Sequence, residues 1–166
     1  NEDVYFEVLN GKTASLFSAA CQVGGISGNG TSKEIESLKS FGTNFGMSFQ
    51  LIDDAIDYSS TDISLGKNTG DDFKEGKITL PIILAYLRSD KKEKEFWNKT
   101  IIDLNQNEGD LIKAISIMKK YNCINDTVER ARHFANVAMD SLGIFNDSEY
   151  KKSLNNLIQS SINRLN

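Results

Sequence analysis

A single proline, Pro81, stands in 166 residues. Proline breaks helix interiors, so its near absence leaves room for long helices. Apolar residues recur at three- and four-residue spacing over long stretches, and no strand-like alternation of any length occurs. These features predict an all-α protein. The length suits one domain, residues 1–166, with enough mass for a real core.

The periodicity places a first helix from about Asp3 to Val23, stopping at Gly24-Gly25. After "SGNGTS", Thr31 and Glu34 form a capping-box pattern for a long helix, about Lys33 to Tyr58. "SSTDISLGKNTGDDFKEGK" reads as an extended polar loop, a kind that is usually functional or mobile. "ITLPIILAYLRS" reads as a short apolar helix with Pro81 near its first turn. A charged linker with Trp97 then leads to "GDLIKAISIMKKYN", to "INDTVERARHFANVAMDSLGIF", and to a last helix from about Ser148. Asn146, Asp147 or Ser148 could cap that helix. No repeat or low-complexity segment is visible.

The net charge of −4 is spread along the chain and leaves no footprint for nucleic acid or an anionic membrane. No apolar run is long enough for a transmembrane segment, and no signal-peptide pattern is visible. Cys21 and Cys123 lack metal spacing and read as reduced thiols of an intracellular, cytoplasmic protein.

Within "FQLIDDAIDY", Asp53, Asp54 and Asp57 sit inside five residues of an otherwise apolar stretch. On a helix, Gly42, Gly46, Gln50, Asp53 and Asp57 share one stripe, beside Phe41, Phe45, Phe49, Ile52 and Ile56. Two carboxylates one turn apart repel by roughly 3 kcal/mol at an effective dielectric of about 20. A divalent cation relieves that repulsion, and hard oxygen ligands suit Mg²⁺, which shares itself with substrate phosphates. A solvated acidic face is the plain alternative. The two glycines make room for a ligand or another backbone. In "GKTASLF", Lys12 lies on a stripe with Val8, Leu9, Leu16 and Ala19, so it must snorkel, pair or meet an anion. Thr13 beside it offers a hydroxyl. Lys67, Lys74 and Lys77 punctuate the polar loop as potential phosphate binders or as plain solubility. Asp71 or Asp72 reads as a cap for the next turn, with Lys74 neutralising that cluster.

Together, "GKTASLFSAACQVGGI", "FGMSFQLIDDAIDY" and "LGKNTGDDFKEGKITLPIILA" resemble three motifs of the all-trans (E) isoprenyl diphosphate synthases, in the family's order. The loop form is most similar to long-chain bacterial members of the octaprenyl diphosphate synthase type, which make quinone side chains. The resemblance is strong over residues 1–87 and only helix-level over 88–166. It implies a helical bundle of the isoprenoid synthase type and Mg²⁺-dependent elongation of an allylic diphosphate by isopentenyl diphosphate. It implies Asp53, Asp54 and Asp57 as the second metal clamp, with Asp53 and Asp57 foremost. It implies Lys12, Lys67 and Lys77 as cations on the allylic diphosphate, and Thr13 and Gln50 as polar groups near the reacting centre. Phe45 and Phe49 would keep water off the carbocation.

The family's first aspartate-rich motif and its basic isopentenyl-diphosphate stretch have no counterpart here, and the chain opens at Asn1. The expectation is an incomplete bundle, the C-terminal half, inactive alone and paired with a second copy or a missing N-terminal half. The faces Val8/Leu9/Leu16 and Phe41/Phe45/Phe49 would then want helices from elsewhere. A non-catalytic helical partner of a full synthase is the alternative. A class I terpene cyclase is a weaker one, because "GKITLP" and the Lys-Thr helix speak against it.

Overall fold

The computed structural model describes residues 1–59 and 69–165, with Leu165 described by its backbone only. Among the described residues every regular element is helical and no strand occurs, so the all-α expectation holds.

Helix α1 (Glu2–Leu9) passes through a π-helical segment, Asn10–Ala14, into α2 (Ser15–Ser27). The run continues beyond Gly24-Gly25, where the sequence places its stop. A helical glycine costs roughly 1 kcal/mol but does not end a helix by itself. The end comes where Gly30 N–H reaches Gly25 O and Asn29 N–H reaches Ile26 O, with Asn29 left-handed at φ 53°. This Schellman pair satisfies carbonyls that a helix end leaves bare.

Helix α3 (Ser32–Ser59) starts at the expected capping box. Glu34 N–H donates to Thr31 Oγ1 at 3.3 Å, and Thr31 N–H donates to Glu34 Oε2 at 2.7 Å. The remaining helices are α4 (Asp71–Lys74), α5 (Leu80–Arg88), α6 (Lys91–Trp97), α7 (Asp110–Lys120), α8 (Cys123–Ser141) and α9 (Glu149–Ile162). Pro81 sits in the first turn of α5, where its missing N–H costs nothing. Helix α6 replaces the expected linker; Asp90 and Glu93 cap it reciprocally. Ser148 caps α9 by accepting from Lys151 N–H.

Contacts divide the chain into two compact units, Asn1–Tyr5 with Asp53–Val128, and Phe6–Ile52 with Glu129–Asn166. In the first, α5 packs on α6 and α7. Leu80, Leu84 and Ala85 of α5, Trp97 of α6 and Ala114 and Met118 of α7 are buried there. In the second, Phe41 and Phe45 of α3, Ala135 and Ala138 of α8, Leu142 and Ile158 form the core, with Phe17 and Phe49 against it. Each buried large side chain contributes about 1.5–3 kcal/mol. Phe41, Phe45 and Leu9 are therefore interior, not bare as the sequence suggested. Cys21 and Cys123 are both free thiols. Among the described residues no helix is long and apolar enough to cross a membrane.

Candidate functional site

The last turns of α3 belong to the first unit and carry the three carboxylates. The helix gives each a different surrounding, because Asp54 lies about 100° around the axis from Asp53. Asp53 is exposed and Asp57 half-buried, whereas Asp54 is 3% exposed. Tyr5 Oη, from the first turns of α1, donates to Asp54 Oδ2 at 2.5 Å. Burial, followed by the Asp54 charge, holds the Tyr5 phenol well above its ordinary range, so it remains a donor.

Asp57 does a different job. Its Oδ1 accepts from Asp71 N–H and its Oδ2 from Asp72 N–H, both at 3.2 Å. It thus supplies the cap for α4 that the sequence assigned to Asp71 or Asp72. Gly70, left-handed at φ 76°, occupies the N-cap position and brings no side-chain cap. Burial, then the neighbouring Asp72 charge, raises the Asp57 pKa; the two amides oppose that rise. Lys74 Nζ neutralises Asp71 at 2.9 Å, as expected. Lys77 Nζ reaches Asp72 at 3.0 Å and Glu75 at 2.8 Å, and these bonds raise its pKa. Lys67 lies outside the described residues.

Among the described residues, no three His, Cys, Asp or Glu side chains are grouped to hold a metal ion. Mg²⁺ commonly takes only one or two protein carboxylates and completes its shell with phosphates and water. Asp53 and Asp57, one turn apart, fit that smaller requirement. Each Asp57 oxygen retains a lone pair beyond its amide bond. Asp54 fits it poorly, since its carboxylate is buried against Tyr5.

The second unit holds the Lys-Thr stretch and Gln50. Lys12 and Thr13 fall on the π-helical segment, with Lys12 exposed and Thr13 half-buried. A π-turn widens a helix locally and recurs at functional sites. Thr13 Oγ1 donates to Gln50 Oε1 at 3.1 Å, so two residues 37 apart in sequence are brought together. The glycines of the α3 stripe make room for backbone rather than ligand. A Cβ on Gly42 would lie 2.4 Å from Phe17 O, and one on Gly46 would lie 2.7 Å from Ala14 Cα. Phe45 stacks on Phe41 and meets Phe17 edge-on, which makes it core rather than a water-excluding wall.

Sequence reasoning missed Tyr5 and the capping work of Asp57. The signal for Tyr5 was faint: a hydroxyl-bearing aromatic in the acidic first turn of α1. Nothing local announced that a carboxylate on α3 caps a helix 14 residues later.

The polyprenyl synthetase family model matches residues 1–118. The octaprenyl diphosphate synthase of Haemophilus influenzae is 34% identical over 164 residues, covering 99% of this chain and 50% of its own length. A decaprenyl diphosphate synthase structure from Rhodobacter capsulatus superposes with a TM-score of 0.95 at 37% identity, covering 100% of this chain and 51% of that one. A polyprenyl synthase from Caulobacter crescentus, complexed with calcium and isoprenyl diphosphate, gives a TM-score of 0.91 at 37% identity, covering 100% and 51%. The likeness thus continues well beyond residue 87, through helices whose sequence carries no motif. The chain spans about half the length of the curated relatives it matches.

Proposed function

This chain belongs to the polyprenyl synthetase family, and on that premise we propose that it carries the second aspartate motif of a prenyltransferase. The reaction lengthens an allylic diphosphate with isopentenyl diphosphate to a long-chain all-trans polyprenyl diphosphate, of the kind used for quinone side chains. The observation that carries this reading is the Asp53/Asp57 pair, one carboxylate exposed and the other braced by two backbone amides of α4. The calcium and isoprenyl diphosphate named for the Caulobacter crescentus relative support it.

Asp53 and Asp57 would hold Mg²⁺, which when bound supplies positive charge against the departing diphosphate. Lys12, Lys67 and Lys77 would bind the allylic diphosphate as point charges. Lys77 would share itself between that anion and Asp72. The carbon–oxygen bond of the allylic diphosphate breaks with its electron pair leaving on oxygen. The double bond of isopentenyl diphosphate then attacks the allylic cation, and a proton is lost. Thr13 and Gln50, already bonded to each other, would orient the reacting end. A second copy or the missing N-terminal half would complete the bundle, in a cytoplasmic setting that two free thiols support.

Thermal melts test the reading. Mg²⁺ with inorganic pyrophosphate is expected to protect the chain more than either alone, since each neutralises the other beside Asp53 and Asp57. Asp53→Ala should abolish the extra protection and Asp71→Ala, whose side chain pairs with Lys74, should keep it. No extra protection of the wild-type chain would favour the alternative, a non-catalytic helical partner subunit.

A further inference from the structure

A buried carboxylate needs partners, because ionised groups removed from water are stabilised only by pairing or hydrogen bonding. Asp54 is such a carboxylate, 3% exposed beside the exposed Asp53 and one turn from the half-buried Asp57. Its short contact with Tyr5 Oη comes from a residue 49 positions earlier. The Tyr5 oxygen also faces the backbone amide of Leu80, in the first turn of α5. One phenol oxygen at the start of α1 therefore meets the last turns of α3 and the first turn of α5, segments that all belong to the first unit.

We propose that Tyr5 is a positioning residue: by bonding Asp54 it sets the rotation of the last turns of α3, and so fixes the direction in which Asp53 and Asp57 present their carboxylates. Asp54 is then the inward anchor of the acidic triplet and not a metal ligand. The reason is geometric. A helix turns as a rigid body, and Asp53 and Asp57 lie one turn apart on the stripe adjoining Asp54. Pinning Asp54 inward keeps Asp53 toward the outside and Asp57 against the amides of α4. Releasing it lets the terminal turns rotate or fray, and the two carboxylates lose their shared aim. Partners behind ligating groups commonly affect metal affinity by about ten- to a hundredfold. The inference rests on the Mg²⁺–diphosphate reading above.

The test is calorimetric titration of the full chain with Mg²⁺ and inorganic pyrophosphate, together with ligand-free melts. Tyr5→Phe keeps the ring and removes the hydroxyl; its affinity is expected to fall about tenfold or more. Asp54→Asn keeps an oxygen that can accept from Tyr5, and its affinity is expected to stay within about threefold of wild type. Asp54→Ala should fall as far as Tyr5→Phe, and the Tyr5→Phe/Asp54→Ala double variant no further, because both remove one contact. Tyr5→Phe that melts lower yet binds like wild type would reduce Tyr5 to a packing residue and overturn the proposal. Asp54→Asn that loses binding as deeply as Asp53→Ala would make Asp54 a direct ligand and overturn it too. That comparison stands even if Tyr5→Phe fails to fold. A wild-type chain with no affinity would instead remove the Mg²⁺–diphosphate reading, and this proposal with it.

Discussion

Gly42 and Gly46 show how one missing methyl group can decide a contact. Helix α3 meets the π-helical segment and the start of α2 at these two positions, close enough that a Cβ on Gly42 would overlap the Phe17 backbone. Backbone cannot step aside as a flexible side chain can. Overpacking of this kind costs about 1–3 kcal/mol, more than the roughly 1 kcal/mol that alanine offers over glycine in a helix. Gly42→Ala is therefore expected to destabilise by up to about 2 kcal/mol. Gly24→Ala, where no atom lies within 4 Å of the added methyl, should gain up to about 1 kcal/mol. Urea unfolding of both variants checks this; a stabilised Gly42→Ala would mean that the helices can move apart. The sequence alone marked both glycines as places of close approach but left open whether ligand or backbone came near. It likewise grouped Asp53, Asp54 and Asp57, yet could not tell that one is exposed, one buried and one half-buried.

The helices differ in how openly their ends are written. Thr31/Glu34 and Asp90/Glu93 are both reciprocal boxes with the same three-residue spacing. The first is plain in the sequence; the second is lost among lysines, in a stretch whose composition suggests a charged linker. Glu93 also accepts from Lys120 Nζ at 2.7 Å and Tyr121 Oη at 2.8 Å, which joins α6 to the end of α7. Lys120 foremost, with the Asp90 amide and Tyr121, holds the Glu93 pKa down to about 2. An unfolded glutamate titrates at about 4.3. Folding thus favours the ionised form, so this contribution is complete above about pH 4.3 and drains away as pH falls toward 2. Glu93→Gln keeps the cap but cannot titrate. Its melting temperature should be below that of wild type at neutral pH, with the gap closing between about pH 4.5 and 2. Parallel loss of stability in both proteins would show that Glu93 does not carry the effect.

The chain spans about half the length of the curated relatives it matches, and it carries a run of exposed apolar side chains. Val8, Leu16, Val23 and Ile26, on the α1–α2 run, are 58%, 74%, 60% and 56% exposed. Exposed apolar patches of this kind usually mark an interaction surface. Sedimentation is expected to show association that grows with concentration and weakens in Leu16→Glu, which puts a charge in the middle of the face. A monodisperse monomer across a wide concentration range would show that the face tolerates water. The sequence-level expectation of bare faces was right for Val8 and Leu16. It was wrong for Leu9, Phe41 and Phe45, which the chain buries within itself.

What could be read from the residues in order was what depends on neighbours three or four positions away. Helical periodicity, the Thr31 cap, the tolerance of Pro81 in a first turn and the wording of three motifs are all of this range, and they sufficed for the all-α class and the family. The rest depended on residues far apart in sequence meeting in space. The Thr13–Gln50 bond, the Asp57 cap on α4 and the Tyr5 hold on Asp54 each join segments whose separation carries no periodic signal. A carboxylate's chemistry is set by whether water, an amide or a phenol stands against it. Identical aspartates in adjacent positions therefore acquire different roles only once the chain has folded around them.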